Sequence, residues 1–155
     1  MKLLRETIRQ IIRNHIVESI QVGSDGMIAE LGQTVDEIKN YPNMHSFAIN
    51  YFDDCQTQIS FEIDDPNTIW ISTLYTTSRG NPYPTPSNKT ECLGKGGARK
   101  MMQIFCDLAD KYKVKLHMNA SPIGEKHMSG KQLHNFYSSF GFIGNKGDYM
   151  AREPR

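Results

Sequence analysis

An excess of one charge, a paired cysteine spacing and long apolar runs are all missing from this chain. Its 155 residues carry 18 Lys and Arg against 17 Asp and Glu. That balance lacks the basic excess of a dedicated nucleic-acid binder, so no nucleic-acid partner is expected. Cys55, Cys92 and Cys106 are an odd number without a Cys-x-x-Cys spacing. The pattern speaks against a disulfide framework or zinc site and for reduced thiols in a cytoplasm. No apolar run approaches the roughly 18 residues of a membrane helix. The opening Met1-Lys2-Leu3-Leu4-Arg5-Glu6 has no apolar region after its basic residues and so does not read as a secretory signal. His15, His45, His127 and His134 show no metal-ligand spacing, and no metal is expected.

The length suits one domain over residues 1–155, large enough to bury a core without staples. Residues 3–20, within an N-terminal segment 1–22, read as an amphipathic helix. Leu4, Ile8, Ile11, Ile12, Ile16 and Ile20 fall at helical spacing, and Gly23 and Gly26 end it. Met27 to Leu31 reads as a short strand. Thr34 and Glu37 fit a capping box opening a short helix that Asn40-Tyr41-Pro42-Asn43 stops. Alternation at Phe47, Ile49, Tyr51 and at Ile59, Phe61, Ile63 predicts two strands, with turns at Asp53-Asp54 and Asp64-Asp65-Pro66-Asn67. A third strand, Ile69 to about Thr76, opens on Ile69-Trp70-Ile71, the continuous run of a strand buried on both faces.

Residues 77–93, with Pro82, Pro84 and Pro86, form an irregular excursion. Helical spacing returns through Met101, Met102, Phe105, Leu108 and Ala109, and Cys106 joins that core. A strand at Val114–Met118, a helix from about Ser129 to Phe140 stopped by Gly141, and a last strand around Tyr149-Met150-Ala151 complete the order. The sum is an α+β fold, an antiparallel meander followed by one parallel crossover.

Leu93-Gly94-Lys95-Gly96-Gly97-Ala98-Arg99 lies between a buried strand and a helix. A helix start offers unpaired N–H groups and a positive dipole end, glycine lets an anion approach, and Lys95 and Arg99 add charge. The alternative is a turn that merely happens to be glycine-rich. A Walker A loop would need Gly-Lys-Ser/Thr, and the dinucleotide pattern fails at Arg99 and at Asn119.

These residues resemble the GNAT N-acetyltransferase superfamily. Its pyrophosphate loop, Gln/Arg-x-x-Gly-x-Gly/Ala, lies on Leu93 to Ala98, with Gly96 and Ala98 on the small positions. Its Tyr-x-x-x-Gly-Phe helix end matches Tyr137-Ser138-Ser139-Phe140-Gly141-Phe142. The likeness covers about residues 44–151. It implies an α/β sandwich with a mixed, mostly antiparallel sheet, splayed central parallel strands and helices on both faces. It further implies acetyl-coenzyme A as co-substrate, with the backbone near Leu74, Tyr75 and Thr76 pairing with the pantetheine arm. Gly94, Lys95, Gly96, Gly97, Ala98 and Arg99 would hold the pyrophosphate, and Tyr137 would protonate the leaving thiolate. The acceptor would be an amine of unread identity, and a homodimer stays open.

The chain departs from the family at Leu93, where a polar residue is usual, at Gly130, where an asparagine is usual, and in its long 77–93 excursion. No general base stands out among Glu62, Glu91 and His117. Cys92 reads as a passive thiol, since no His is placed in sequence to activate it. Tyr137 also extends the core stripe Leu133, Phe136, Phe140. The competing reading is therefore a coenzyme A-binding or structural module without turnover. The N-terminal Met-Lys-Leu-Leu-Arg-Glu-x-Ile-Arg resembles segments of virion-associated proteins in large tailed phages, which would point the same way; the alternative for this segment is a helix packed on the sheet with its arginines in water.

Overall fold

A computed structural model describes residues 6–8, 10, 23–52, 55–78, 92–122, 128–144 and 148–155. Most of the 3–20 helix, the Asp53-Asp54 turn and residues 79–91 of the excursion lie outside them; residues 6–8 and 10 are helical. The elements are α1 (Ser24–Thr34), β1 (Asp36–Tyr41), β2 (Met44–Phe52), β3 (Cys55–Asp65), β4 (Thr68–Ser78), α2 (Gly97–Tyr112), β5 (Lys115–Asn119), α3 (Gly130–Ser138) and β6 (Tyr149–Arg152). The six strands form one sheet in chain order, antiparallel except for the β4–β5 pair.

The meander, the crossover and the position of β4 inside the sheet agree with the sequence reading. The segment before them does not. Met27 to Leu31 is helical, and Gly26 lies inside α1 while Gly23 is its N-cap. Met27 and Leu31, four residues apart, are fully buried, and α1 packs on α2. Burying that face outweighs the local strand pattern. Thr34 ends this helix instead of opening another, and its hydroxyl donates to the Glu30 carbonyl. Glu37 pairs with Phe47 in the β1–β2 ladder, so the punctuation at Pro42-Asn43 is a hairpin turn.

The three helices share one face of the sheet. Phe47, Ile59, Phe61, Ile69, Ile71 and Leu116 point into it and meet Met101, Met102 and Phe105 of α2. Arg152, on β6, ties both later helices to that face. Its guanidinium grips the Asp110 carboxylate of α2 at 2.8 and 2.7 Å, and its Nε donates to the Phe140 carbonyl just past α3. A second helical layer is not carried by the described residues. Period two turns the alternate side chains to the opposite face. There Ser46 and Ser60 share a hydroxyl hydrogen bond, the Tyr75 hydroxyl donates to Gln58, and Trp70 is half-buried rather than enclosed.

The reading of three reduced thiols needs correction: Cys55 and Cys92 form a disulfide, with Cα atoms 5.5 Å apart. Cys55 opens β3 opposite Ser78 at the end of β4, and the chain returns to that spot at Cys92. Sequence spacing carries no trace of this, because 37 residues separate the pair. The bridge removes the thiol argument for a cytoplasm, since such bonds persist mainly in oxidising compartments. Cys106 remains a free core thiol, its pKa pushed up to about 12 by burial.

Closing a loop of this length stabilises the fold by about 4 kcal/mol in the chain-entropy account. Reduction, or Cys55→Ser with Cys92→Ser, should therefore lower the melting temperature by about 10 °C; an unchanged Tm would show that the bridge carries no stability. Asp110 gives a pH test. Burial opposes its ionisation, but the Arg152 guanidinium and the Arg155 N–H together hold its pKa below the ordinary carboxylate value. A depressed carboxyl adds stability above its unfolded pKa and loses it as pH falls through the folded one. Asp110→Asn should cost about 3 kcal/mol at neutral pH, because it leaves Arg152 buried and unpaired. Urea unfolding at pH 7 and pH 3 should show that loss shrinking in acid.

Candidate functional site

Parallel pairing between β4 and β5 runs from Thr68–Lys115 to Ile71–Met118 and stops there, although β4 continues to Ser78. Ser72 is the extra residue of a bulge against β3, between the pairs Ser60–Thr73 and Phe61–Ile71. A bulge bends its strand and raises the local twist. At the same level the N–H of Ala120, just past β5, donates to the carbonyl of Asp148, which leads into β6. β5 itself ends at Asn119, one residue past the last pair, so β4 from Ser72 to Ser78 runs on beyond β5. Leu74, Tyr75 and Thr76 lie on that stretch, all half-buried.

The glycine-rich loop closes over that end of the sheet. Thr76 and Thr57 hydroxyls are 2.9 Å apart, and a Cβ on Gly97 would stand 2.3 Å from the Thr57 hydroxyl. Helix α2 thus begins directly on β3, at a distance only glycine permits. Gly96 caps the helix in the left-handed region, with φ 86°, and supplies no side-chain acceptor to the first turn. The N–H groups at the start of α2 are the unsatisfied donors of a helix N-terminus. Lys95 is exposed beside them, and Ala98 is half-buried. The Cys55–Cys92 bridge pins the chain just ahead of Leu93 and Gly94.

Two of the sequence-derived residues are arranged differently from the rest. Arg99 lies against α3, its guanidinium 5.4 Å from the ring centres of Phe136 and Phe140 and 3.4 Å from the Ser139 hydroxyl. Tyr137 is the buried residue of α3, 6% exposed, its ring set edge-on to Phe136 and Phe142. Burial pushes its pKa up to about 12, so the hydroxyl keeps its proton at neutral pH. Helix α3 itself opens with a full capping box between Ser129 and Gln132.

Sequence reasoning missed Thr57, Tyr51 and the disulfide, which together set the glycine loop. Their partners lie across strands and leave no local pattern. Two of the candidate bases, Glu62 and His117, fall on the face opposite the helices, in register with Trp70 between them. Glu91 lies outside the described residues. Beyond β5, Ala120, Gly130, Lys131, His134, Asn135 and Asp148 line a hollow of about 280 Å³. Among the described residues no group of His, Cys, Asp or Glu is placed to hold a metal ion, and no helix is long and apolar enough to cross a membrane. No family model, curated protein or solved structure matches the chain.

The glycine at position 96 is required by backbone geometry as well as by any anion. A side chain in the left-handed region costs roughly 1–2 kcal/mol, and the Tyr51 hydroxyl stands 3.1 Å from where a Cβ would sit. Gly94 is also left-handed, with φ 72°, but has nothing within 4 Å, so both Gly96→Ala and Gly94→Ala should lower the melting temperature even without ligand, and Gly96→Ala by more. Equal melting of the two variants would remove the Tyr51 contact from the account.

Proposed function

We propose that this chain binds acetyl-coenzyme A in a wedge between β4 and β5, beyond the last pair of their ladder, and transfers its acetyl group to a primary amine. The observation that carries the reading is the end of the β4–β5 ladder at Ile71–Met118, with the glycine start of α2 held over the same end by Thr57 and Thr76. A split between parallel strands accepts an extended, hydrogen-bonding arm as an added strand. An uncapped helix start accepts a pyrophosphate. The two lie one behind the other, in the order a pantetheine arm and its pyrophosphate would need. Leu74, Tyr75 and Thr76 then run beside the arm, and Gly94 to Ala98 face the phosphates with Lys95 as the adjacent cation. The GNAT resemblance, with its sandwich architecture and splayed parallel strands, belongs to this proposal.

The thioester supplies an activated acyl group, and the chain's part is to orient it and to move protons. Tyr137, protonated at neutral pH, has the chemistry of a donor to the departing thiolate and not of a base. Arg99 serves chiefly to join α2 to α3, which would fix Tyr137 relative to the loop. The second reading, a coenzyme A-binding module without turnover, draws on the same tyrosine. A hydroxyl in a side chain only 6% exposed, with its ring among Phe136 and Phe142, also describes a core residue.

Thermal denaturation tests the binding step. Acetyl-coenzyme A at a hundredfold excess over its dissociation constant stabilises a native state by about 2.7 kcal/mol, which should raise Tm by roughly 5–10 °C, while NAD and ATP should not. No shift with acetyl-coenzyme A would overturn the proposal. Thiol release in the presence of mixed amines separates the readings. Turnover that falls about a hundredfold in Tyr137→Phe, with Tm kept, supports a general acid; binding without any thiol release selects the module.

A further inference from the structure

Residues 93–96, all exposed, are held at both ends by one strand. Ahead of them Cys92 is bonded to Cys55; behind them Gly97 rests on Thr57, whose hydroxyl is 2.3 Å from where a Cβ would stand. Cys55 and Thr57 are two residues apart on β3, both buried on the face that carries Ile59 and Phe61. The two anchors are therefore only about 7 Å apart along the strand. The stretch between them bows outward over this short base, and Gly94 and Gly96 take the left-handed region, with φ 72° and 86°. Glycine has the most backbone freedom to lose, so such a loop depends on its anchors for a single shape.

The anchors differ in kind. The Thr57 contact is packing and is indifferent to redox state, whereas a sulfur–sulfur bond can be opened. We propose that the Cys55–Cys92 bridge is a redox latch on the glycine loop: closed, it holds the loop in one shape, and opened by a dithiol it frees the loop's leading end, with loss of affinity for the anion bound there. The exchange takes two steps. A thiolate of the dithiol attacks one sulfur of the bridge, the S–S bond breaks, and the other cysteine leaves as a thiolate that takes up a proton. The second thiol then attacks the mixed disulfide, the remaining cysteine leaves and is protonated, and the reagent departs as a disulfide. Two electrons have passed to the protein. Both cysteines are buried, so a mixed disulfide with a monothiol is reversed by the neighbouring cysteine, and only a dithiol completes the exchange. Cys106 stays outside it. Buried on α2, with its thiol pushed up to about 12, it keeps its proton, and oxidation restores the same pair. That acetyl-coenzyme A is the anion under control rests on the function proposed above; the release of the loop does not.

Dithiothreitol, applied well below the melting temperature, should leave the circular dichroism native while the two bridge thiols become titratable. Amide exchange at residues 93–96 should then quicken by about tenfold, with β3 and β4 keeping their protection. The dissociation constant for acetyl-coenzyme A should rise by about tenfold, because the freed loop has to be ordered again on binding. Reoxidation should restore both values, and Cys55→Ser with Cys92→Ser should match the reduced protein. Unchanged exchange at 93–96 after opening, or a bridge that opens only with loss of the native spectrum, would overturn the proposal. So would an unchanged affinity in a protein whose oxidised form binds acetyl-coenzyme A. Quickened exchange in a protein that binds no acetyl-coenzyme A in either state would keep the latch and remove the transferase reading instead.

Discussion

The parallel ladder between β4 and β5 ends at Ile71 and Met118, and the candidate site is organised around that end. Up to this point the two strands are held by regular pairing and by the burial of Ile69, Ile71, Leu116 and Met118 under α2. Beyond it, the Ser72 bulge lets β4 stay with β3 while β5 ends and the chain turns beside Asp148. A sheet paired along its whole length would offer a ligand no main chain between these strands.

What keeps the far half of β4 aligned with the glycine loop is a set of short contacts on the helix face. Thr76 touches Thr57, Thr57 touches Gly97, and Tyr51 crowds Gly96. The Cys55–Cys92 bridge fastens the loop's leading end to the same strand. Each contact joins residues distant in sequence, and each limits how far the start of α2 can lift from the sheet. On the far side, the Arg152–Asp110 pair and the Arg99 stack on Phe136 and Phe140 hold α3 to α2. The loop and Tyr137 are thereby parts of one packed layer.

The opposite face has a different chemistry. Its residues are hydroxyls, amides, rings and carboxylates, and they pair with one another across strands rather than with a helical layer among the described residues. The two faces meet at Ser72, where the ladder stops.

The amino-acid order by itself determined much of this molecule. Period-two alternation located β2 and β3, a short continuous apolar run located β4, helical spacing located α2, and glycine placement located the loop and the end of α3, because these depend on neighbours a few residues apart. It failed at α1, where the burial of Met27 and Leu31 against α2 overrode a local strand pattern, and at Thr34, whose capping partner proved to be Glu30 behind it. It was silent on the Cys55–Cys92 bridge, on Thr57 beneath Gly97, and on the alignment of Glu62, Trp70 and His117 in one row. Strand register alone brings those residues together, and register follows from how the whole sheet buries its core face. Only the tertiary structure could decide it.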